Sequence, residues 1–510
     1  MCEPGFVVDE EEHAPSYKRH TLLFQTSKKP EEMEVEKATR GHVLVLPYTT
    51  QGHINPMLQF SRRLTHKGLR VTLVTTIQNL KDMRKANPSD PDFVSIELIS
   101  DGFDDGLPSE FTVDAYLATL ERVGSLTLDS LLARLSVEGS RPLCIIYDSF
   151  LPWVLDVAHA HGILGATYHT QSCAVNTIYR HLHGKFSGKE TKLELPLSLP
   201  GMPLLDSLDL PSLIAQPEAY PAYLKLVMEQ FRNMDKADFV LENSFESLEG
   251  EFSRELAKGL PIKMIGPAVP SAYLDNRIPD DKGPTAHLCK AVDCLNWLDE
   301  RPFRSTVYAA FGSLVSMAVE QMEEIAWGLH ASKRPFVWVV KPPPIYLEGG
   351  NLLPKGFSEA TIDQGIVVPW CPQLEVLSHT ATACFLTHCG WNSTLEGLSL
   401  GVPMVAVPQW TDQPTDAKFV SDVWQVGIRA KADDRGIVCR DEVAKCLRDV
   451  LDDDRAAQIR RNAERWRELA KEALDEGGSS DRNIDEFVAA VLENKDSGRD
   501  SLGVGGPNQA

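Results

Sequence analysis

One stretch of the chain, from Trp370 to Gln413, holds most of the side chains that could do chemistry. It begins Trp-Cys-Pro-Gln-Leu-Glu-Val-Leu-Ser-His, continues through Thr-His-Cys-Gly-Trp-Asn-Ser-Thr-Leu-Glu-Gly and ends Pro-Gln-Trp-Thr-Asp-Gln. It contains an aromatic for a base, a carboxylate for a ribose, a helix start for a diphosphate and an Asp-Gln pair for sugar hydroxyls. Together these are the groups that a nucleotide-sugar site needs.

The middle of this window predicts an anion site. Residues 383–387 form a short apolar run typical of a buried parallel strand, and residues 388–390 form a tight turn. A helix then opens, with Asn392 and Ser393 at its start. Free backbone N–H groups and the helix dipole both favour an anion there, so a diphosphate is the expected occupant. The side chain of His388 adds a further donor.

The rest of the window supplies groups for the base and the sugars. Trp370 follows a buried-strand pattern, and an indole at a strand end is a stacking platform for a nucleobase. Glu396, one turn into the predicted helix, can accept hydrogen bonds from both hydroxyls of a ribose. Asp412 and Gln413 follow another apolar strand, at the carboxyl end where open α/β sheets place ligands. They offer acceptors and donors for sugar hydroxyls.

A second group of reactive residues lies near the start of the predicted fold. His53 stands in the loop after a predicted strand, and Pro56 is expected in the first turn of the helix that follows. Histidine suits a general base because its unperturbed pKa lies near neutrality. Asp148 follows another buried-strand pattern and is the best candidate for a carboxylate that orients the imidazole. The pair would be a His-Asp arrangement without the serine.

Each of these residues taken alone has a plainer interpretation. Trp370, Trp391 and Trp410 would more often be core aromatics, and His388 a satisfied core histidine. His53 and Asp148 could simply cap helices. The cysteines beside His388 show no paired Cys-x-x-Cys spacing, so no metal site is expected. It is the conjunction of these residues that favours a ligand site over the single-residue interpretations.

Composition and charge agree with a two-domain enzyme. The chain has 510 residues, 43% of them hydrophobic, and alternating strand and helix patterns indicate α/β with parallel sheets. A net charge of −21 without a basic stripe argues against a nucleic-acid partner. Ten cysteines without framework spacing suit reduced thiols in the cytoplasm. No apolar run is long enough to span a bilayer, and we expect a monomer.

The window resembles the signature of plant family-1 UDP-glycosyltransferases in its length and in its first and last residues. The resemblance runs from about Gly41 to about Glu493. It implies a GT-B fold, in which two Rossmann-like parallel-sheet domains face a central cleft. UDP-glucose would bind mainly to the second domain, a small hydrophobic acceptor would bind to the first, and no cofactor or metal would be needed.

The resemblance also implies roles for individual residues. Trp370 would stack on uracil, while Gln373 and Glu396 would hold the ribose. A terminal glutamine goes mostly with UDP-glucose, so Gln413 argues for glucose over galactose. The implied donor site consists of Thr170, Ser313, Trp370, Cys371, Gln373, His388, Gly390, Trp391, Asn392, Ser393, Glu396, Trp410, Asp412 and Gln413. Thr170 would reach a sugar hydroxyl from the first domain, and Ser313 the diphosphate from the side opposite His388.

The chemistry implied is inversion at the anomeric carbon. His53 would deprotonate an acceptor hydroxyl, or position a carboxylate, and the product would be a β-glucoside. The acceptor cleft is expected from loops near Tyr48, Phe103, Trp153 and residues 171–179. The acceptor would be a phenolic acid, hormone, terpenoid or trichothecene. Another UDP-sugar donor, a nucleotide-sugar epimerase and a non-catalytic UDP-sugar binder are the competing functions.

The order of patterns along the chain predicts six segments. Residues 1–40 are a disordered extension rich in acidic runs, and residues 41–265 are the first Rossmann-like domain. Residues 266–290, rich in Pro, Gly, Asp and Lys, are the linker. Residues 291–475 form the second Rossmann-like domain. We expect the helix in residues 476–496 to pack back on the first domain, and residues 497–510 to be a flexible tail.

Overall fold

Short apolar runs become the strands of two parallel sheets. The computed structural model describes residues 41–86, 94–108, 110–184, 193–256, 259–283, 294–312, 317–341 and 353–500. The first sheet consists of β1 (Gly41–Leu46), β2 (Leu69–Thr76), β3 (Ser95–Ile99), β4 (Cys144–Asp148), β5 (Leu164–His169), β6 (Phe239–Glu242) and β7 (Ile262–Met264). The second consists of β8 (Thr306–Ala310), β9 (Phe336–Val339), β10 (Gly365–Val368), β11 (Thr382–Thr387), β12 (Met404–Ala406) and β13 (Gly427–Arg429).

The strand order of the sheets shows where a ligand can bind. The first sheet runs β3-β2-β1-β4-β5-β6-β7 and the second β10-β9-β8-β11-β12-β13, with every neighbouring pair parallel. In each sheet the order reverses beside its first strand, between β1 and β4 and between β8 and β11. Open α/β sheets leave a crevice at such a switch point, outside the carboxyl ends of the strands. The predicted α/β class with two parallel sheets is confirmed.

Helices connect the strands and cover both sheets. Their bounds are α1 (Gln51–His66), α2 (Ile77–Ala86), α3 (Val113–Val137), α4 (Trp153–Ala160), α5 (Cys173–Leu182), α6 (Ser212–Ala215), α7 (Pro221–Glu229), α8 (Glu246–Leu256), α9 (Leu295–Asp299), α10 (Val319–Ala331), α11 (Phe357–Ala360), α12 (Gln373–Ser378), α13 (Trp391–Ser399), α14 (Gln413–Lys418), α15 (Arg440–Leu451), α16 (Asp454–Leu474) and α17 (Ser479–Asp500). Single turns of other helix types lie at Met234–Lys236, Ser271–Tyr273 and Phe419–Val423. Among the residues described, no helix is both long enough and apolar enough to cross a membrane.

The start of α1 differs from the sequence prediction. The helix begins at Gln51, so His53 lies in its first turn rather than in the preceding loop, and Pro56 lies in the second turn. The Thr50 carbonyl accepts from the N–H groups of His53 and Ile54. These bonds form the first turn of the helix, which begins at Gln51, five residues before the proline. Proline lacks an N–H, so the helix loses one bond there, the one to the carbonyl four residues earlier.

One hydrophobic core runs between the two sheets and a further core covers the far side of each. The central core joins Val43 and Tyr168 of the first sheet to Phe385 and Met404 of the second through α1, α8 and α13. We call residues 41–283 the first half and residues 294–474 the second half. Because the central core belongs to both, each sheet presents its carboxyl edge at a fixed place relative to the other.

The last helix returns to the first half. Phe487 of α17 packs between Phe60 and Phe239, with ring centroids 6.2 and 5.0 Å apart. Ser480 and Asn483 donate side-chain hydrogen bonds to backbone carbonyls at residues 266 and 264. The helix continues to Asp500, beyond the predicted end at residue 496. The predicted extension, residues 1–40, and residues 501–510 of the predicted tail lie outside the described residues.

Phe487→Ala should lower the free energy of unfolding by about 3–5 kcal/mol, because it leaves a cavity between two other phenylalanines. Guanidinium unfolding followed by tryptophan fluorescence measures the change. Glu486→Ala on the same helix removes an exposed ion pair to Lys263 and should cost less than about 1 kcal/mol. Equal effects of the two substitutions would show that α17 is held by its surface charges instead.

Candidate active site

A cavity of about 450 Å³ lies between the carboxyl edges of the two sheets. Its wall includes predicted residues from both halves: His53, Thr170, Trp370, Cys371, Gln373, His388, Gly390, Trp391, Asn392, Ser393, Glu396, Trp410, Asp412 and Gln413. Asp148 is fully buried behind His53. Ser313 lies outside the described residues. The structure therefore brings the two groups of reactive residues, which are far apart in sequence, to one cavity.

His53 and Asp148 form a hydrogen-bonded pair at the switch point of the first sheet. The imidazole Nδ1 lies 2.7 Å from Oδ2 of the carboxylate, and Thr170 Oγ1 lies 3.2 Å from the same nitrogen. Oδ1 of Asp148 accepts from the backbone N–H of Phe150, which fixes the carboxylate. Because Nδ1–H donates to the carboxylate, Nε2 is the ring nitrogen left to accept a proton. Asp148 thus holds its own turn and also orients the imidazole.

Two aromatic rings enclose the imidazole. The Tyr48 ring lies edge-on to His53 at 5.4 Å between centroids, and the Phe150 ring is tilted against it at 4.9 Å. Burial raises the pKa of Tyr48 far above its usual value, so it remains a neutral phenol. These rings limit the rotation of His53 and exclude water from one side of it.

In the second half, the predicted strand, turn and helix form as β11, residues 388–390 and α13. Cys389 adopts a left-handed φ of 63°, a conformation that non-glycine residues adopt at some energetic cost. The His388 ring lies against two glycines: a Cβ added at Gly312 or Gly390 would stand 2.5 or 2.7 Å from Nε2. Burial, with a smaller effect of Lys341, lowers the pKa of His388 to about 4. The ring is therefore neutral and can donate one N–H to an anion.

A hydrogen bond joins the start of α13 to the start of α1. Asn392 Nδ2 donates to the Gly52 carbonyl at 2.6 Å. In a regular helix that carbonyl would accept from the N–H four residues later, but that residue is Pro56. The proline therefore frees the acceptor that binds the second half. The bond places the first turn of α1, which carries His53, against the helix start that is expected to hold a diphosphate.

The predicted ribose site is a connected set of side chains. Gln373 Nε2 donates to Glu396 Oε2 at 2.5 Å and to Ser393 Oγ at 3.1 Å, and its Oε1 accepts from the Tyr308 hydroxyl. Burial raises the pKa of Glu396 to about 7, and the Gln373 hydrogen bond opposes that rise. The carboxyl is therefore held in one orientation and titrates near neutral pH.

Trp370, Cys371 and Trp391 border the cavity and have protein neighbours as well. Trp370 follows β10 and is 9% exposed. The Cys371 thiol lies 3.5 Å from the Tyr308 hydroxyl, and a hydrogen bond with Cys294 together with burial raises its pKa. The Trp391 indole N–H donates at 2.8 Å to the carbonyl of residue 243 in the first half. Both the Cys371 thiol and the Trp391 N–H thus already have hydrogen-bonding partners within the protein.

Asp412 and Gln413 stand at the start of α14, after a turn in which Thr411 has a φ of 55°. Oε1 of Gln413 accepts from the backbone N–H groups of residues 409 and 410, which leaves its amide nitrogen as the donor for a ligand. Asp412 is buried and accepts from the Thr411 hydroxyl at 2.5 Å. The Tyr223 ring of the first half packs edge-on against the Trp410 ring, with 5.6 Å between the ring centroids.

The wall beside His53 only partly matches the predicted acceptor cleft. Tyr48 and Gln171 line it as expected, but Trp153 is buried against Gly124 and Phe103 packs on Tyr116. Residues that the sequence analysis did not select complete the wall: Phe150, Leu213, Tyr223, Leu226 and Val227. Most come from α6 and α7, whose sequences resemble ordinary amphipathic helices.

Sequence reasoning also missed Lys341, which lies on the cavity wall near His388. It lies two residues after the end of β9, at the carboxyl edge of the second sheet. The signal was present in the sequence, because a lysine after the buried run Phe336–Val339 occupies the same kind of position as Asp148. The residue adds a positive charge to the expected diphosphate side of the cavity.

Comparison with known proteins assigns this geometry to a family. The family model for UDP-glucoronosyl and UDP-glucosyl transferase matches residues 290–466. The chain is 43% identical to UDP-glycosyltransferase 74E2 of Arabidopsis thaliana over 88% of its length and 98% of the relative's. The chain belongs to the plant family-1 UDP-glycosyltransferases. It is also 43% identical to Mogroside I-E synthase of Siraitia grosvenorii, over 89% of this chain and 98% of that one.

Solved structures of this glycosyltransferase family have the same fold. Os79 from O. sativa in complex with UDP superposes with a TM-score of 0.79 at 40% identity, over 88% of this chain and 100% of that one. Os79 in complex with U2F and trichothecene gives 0.78 at 41% identity, with the same coverage. The expected GT-B architecture is therefore confirmed for this UDP-glycosyltransferase.

Gly390→Ala should weaken UDP binding by about tenfold or more, because the new Cβ displaces the His388 ring from the start of α13. Isothermal titration with UDP measures the dissociation constant. Gly52→Ala is the matched control: its Cβ would meet Asn392 at an ordinary 3.9 Å, and we expect less than about a threefold change. A similar loss in both variants would mean that His388 is not the sensitive contact.

Proposed function

We propose that this enzyme is an inverting, UDP-glucose-dependent glucosyltransferase that adds β-glucose to a hydroxyl of a small hydrophobic plant metabolite or xenobiotic. The observation that carries the proposal is the His53–Asp148 pair, 2.7 Å apart, at the boundary between an apolar wall and a nucleotide-sugar site. A general base must lie where the acceptor hydroxyl meets the anomeric carbon. In this cavity, His53 occupies that boundary.

The donor would lie along the second half. Uracil stacks on Trp370, and the ribose hydroxyls bind Glu396 within the Gln373 network. The diphosphate meets the start of α13, where free N–H groups, the neutral His388 and the Asn392 and Ser393 side chains converge. Ser313 is proposed to contact the same diphosphate. Lys341 supports this placement, because its charge lies on the same side of the cavity.

The sugar would extend from the diphosphate toward the first half. Asp412 and the free amide nitrogen of Gln413 bind its hydroxyls from the second half, and Thr170 contacts it from the first. His53 Nε2 takes the acceptor proton as the acceptor oxygen attacks the anomeric carbon opposite UDP, and Asp148 stabilises the imidazolium. The bond to UDP breaks with inversion. Electrostatic stabilisation of the leaving diphosphate by helix α13 makes a metal unnecessary in this proposal.

The acceptor wall favours a hydroxyl over a carboxylate. The described lining residues between positions 48 and 243 include no lysine or arginine. Beside His53, and next to the polar Gln171, the apolar part of the wall consists of Phe150, Leu213, Tyr223, Leu226 and Val227. Burying a carboxylate there without a cation would cost several kcal/mol. A neutral phenol or terpenoid alcohol avoids that cost. The name of one relative, Flavonol 7-O-beta-glucosyltransferase UGT74F1 of Arabidopsis thaliana, and the trichothecene bound to Os79 support this choice.

Competing functions fit the cavity less well. An epimerase needs no acceptor wall, and a non-catalytic binder needs no oriented base, yet both features are built here. A different UDP-sugar is the nearest alternative, since Asp412 and Gln413 could bind hydroxyls of another hexose.

The proposed function is tested by acceptor-dependent UDP release from UDP-glucose, with phenols, terpenoid alcohols and carboxylic acids as acceptors. We expect release with the neutral hydroxyl compounds and about 10²–10⁴-fold less in His53→Ala, since that variant lacks the general base. Trp153→Phe, a conservative change at a buried core residue, is the control and should keep most of the activity. Release that is independent of acceptor, or undiminished in His53→Ala, would overturn the proposal.

UDP binding should strengthen as pH rises through about 7. The Glu396 carboxyl has its pKa raised to about 7 by burial, and ribose hydroxyls donate to its ionised form. Below that pH the carboxyl must first lose its proton before it can bind the ribose. The dissociation constant of UDP should therefore rise by up to about tenfold for each pH unit below 7. Titration of UDP at pH values on both sides of 7 measures this. Glu396→Gln should bind UDP more weakly and without this pH dependence. If the pH dependence persists in Glu396→Gln, it arises from a group other than Glu396.

A further inference from the structure

Behind the proposed sugar site lies a second carboxyl, that of Asp416. It is 1% exposed and lies one helical turn after Asp412 in α14. Its Oδ1 accepts a hydrogen bond from the Ser172 hydroxyl at 2.9 Å. Ser172 is buried in the first half, where its oxygen also accepts from the N–H of Val175 at the start of α5. This contact therefore joins α14, which follows Asp412, to the start of α5 in the first half.

Among the described residues, no lysine or arginine forms an ion pair with Asp412 or Asp416. Besides Asp412, the polar groups that face Asp416 are Ser172 and Tyr179 at α5, Glu249 of α8 and Cys389 in the turn after β11. The Tyr179 phenol and Cys389 thiol are buried and stay protonated, because burial raises the pKa of each. Burial, and then the charge of Asp412, raise the pKa of Asp416 well above its usual value, and burial raises the pKa of Asp412, which favours one proton held between the two carboxyls.

The nearby positive side chains are already used elsewhere. Lys418 lies 2.9 Å from Asp422 and 3.4 Å from Asp209, and Arg429 lies 2.8 Å from Asp209. None of these three ion pairs includes Asp412 or Asp416. No charge compensation for Asp416 therefore comes from these two cations of the second half.

The hydrogen bonds decide which carboxyl holds the proton. Asp412 accepts from the Thr411 hydroxyl, and this bond, together with the backbone N–H of Trp391, opposes the rise in its pKa that burial causes. Asp416 accepts from Ser172, and its Oδ2 has no hydrogen-bond partner within the described structure. A proton on Oδ2 would give that atom a donor role toward the Asp412 carboxylate.

We infer that Asp416 is a positioning residue for the donor sugar: as a neutral acid it donates to Asp412 and accepts from Ser172. It thereby orients the Asp412 carboxylate toward the sugar hydroxyls. Its hydrogen bond with Ser172 couples that orientation to the first half. This inference rests on the proposed role of Asp412 in binding the sugar. When the shared proton is lost, two buried anions repel each other, so recognition of the sugar fails as pH rises.

The test compares the dissociation constants of UDP-glucose and UDP, because the sugar contacts belong to UDP-glucose alone. In the wild-type enzyme, the preference for UDP-glucose should fall by about tenfold or more between roughly pH 7 and pH 10. Asp416→Asn keeps an N–H donor and a carbonyl acceptor but has no proton to lose. It should retain the neutral preference at every pH. Asp416→Ala should lose about tenfold of it already at neutral pH.

A matched control is Asp422→Asn, which changes a half-exposed carboxyl paired with Lys418 and should leave the preference unchanged. Thermal unfolding with and without UDP shows whether each variant is folded and binds nucleotide. The inference is overturned if Asp416→Asn loses the preference as Asp416→Ala does, if it keeps the wild-type alkaline fall, or if UDP and UDP-glucose weaken equally. A wild-type enzyme that binds both ligands alike overturns it as well.

These outcomes are distinct from failure of the proposed function. That failure appears as absent acceptor-dependent UDP release in the wild-type enzyme, which requires no variant of Asp416. Failure of the present inference appears as unaltered binding preference in Asp416→Ala, whether or not the enzyme turns over. With turnover, Asp416→Ala should raise KM for UDP-glucose and change kcat less, and Asp416→Asn should restore KM.

Discussion

The active site depends on a backbone carbonyl that a proline leaves without its helical donor. Pro56 has no N–H for Gly52, and the Gly52 carbonyl accepts from Asn392 of the second half instead. His53 follows Gly52 in the same helical turn, and Asn392 lies in the first turn of α13. The proposed base and the proposed diphosphate site are thus joined through two helix starts rather than through loops. Reaction rates depend steeply on such spacing, which explains why the link is made at the helices themselves.

Burial acts on the donor side of the cavity in one consistent direction. It keeps His388 neutral, brings the pKa of Glu396 close to neutral pH, and raises the pKa values of Asp412 and Asp416. These side chains are therefore closer to their neutral forms than they would be in water. A nucleotide diphosphate brings its own charge into a dry environment, where each hydrogen bond to it is stronger than in water.

Much of the framework could be predicted from the sequence because its signals are local. The buried runs at residues 365–368 and 382–387 gave strands, and the glycine turn before residue 391 gave a helix start. Two predictions failed for physical reasons. Pro56 looked like a first-turn proline, but a tertiary hydrogen bond replaces the helical bond it removes. The part of the proposed acceptor wall that α6 and α7 form went unrecognised, because these helices show only apolar periodicity, which does not reveal what a side chain faces.

The proposed acceptor wall is nevertheless hydrogen-bonded to the sugar loop, residues 409–413, which carries Asp412 and Gln413. The backbone N–H of Ser212, at the start of α6, donates to the Thr411 carbonyl at 2.8 Å, and the Thr411 N–H donates to the Ser212 hydroxyl at 2.7 Å. These bonds hold Thr411 in its left-handed conformation, directly before Asp412. Leu213 follows Ser212 and lines the cavity, so a change in the wall's position would also move the sugar loop. In the proposed function, acceptor shape and sugar placement are therefore coupled through the backbone. An acceptor that fits the wall poorly is expected to slow transfer as well as to bind weakly.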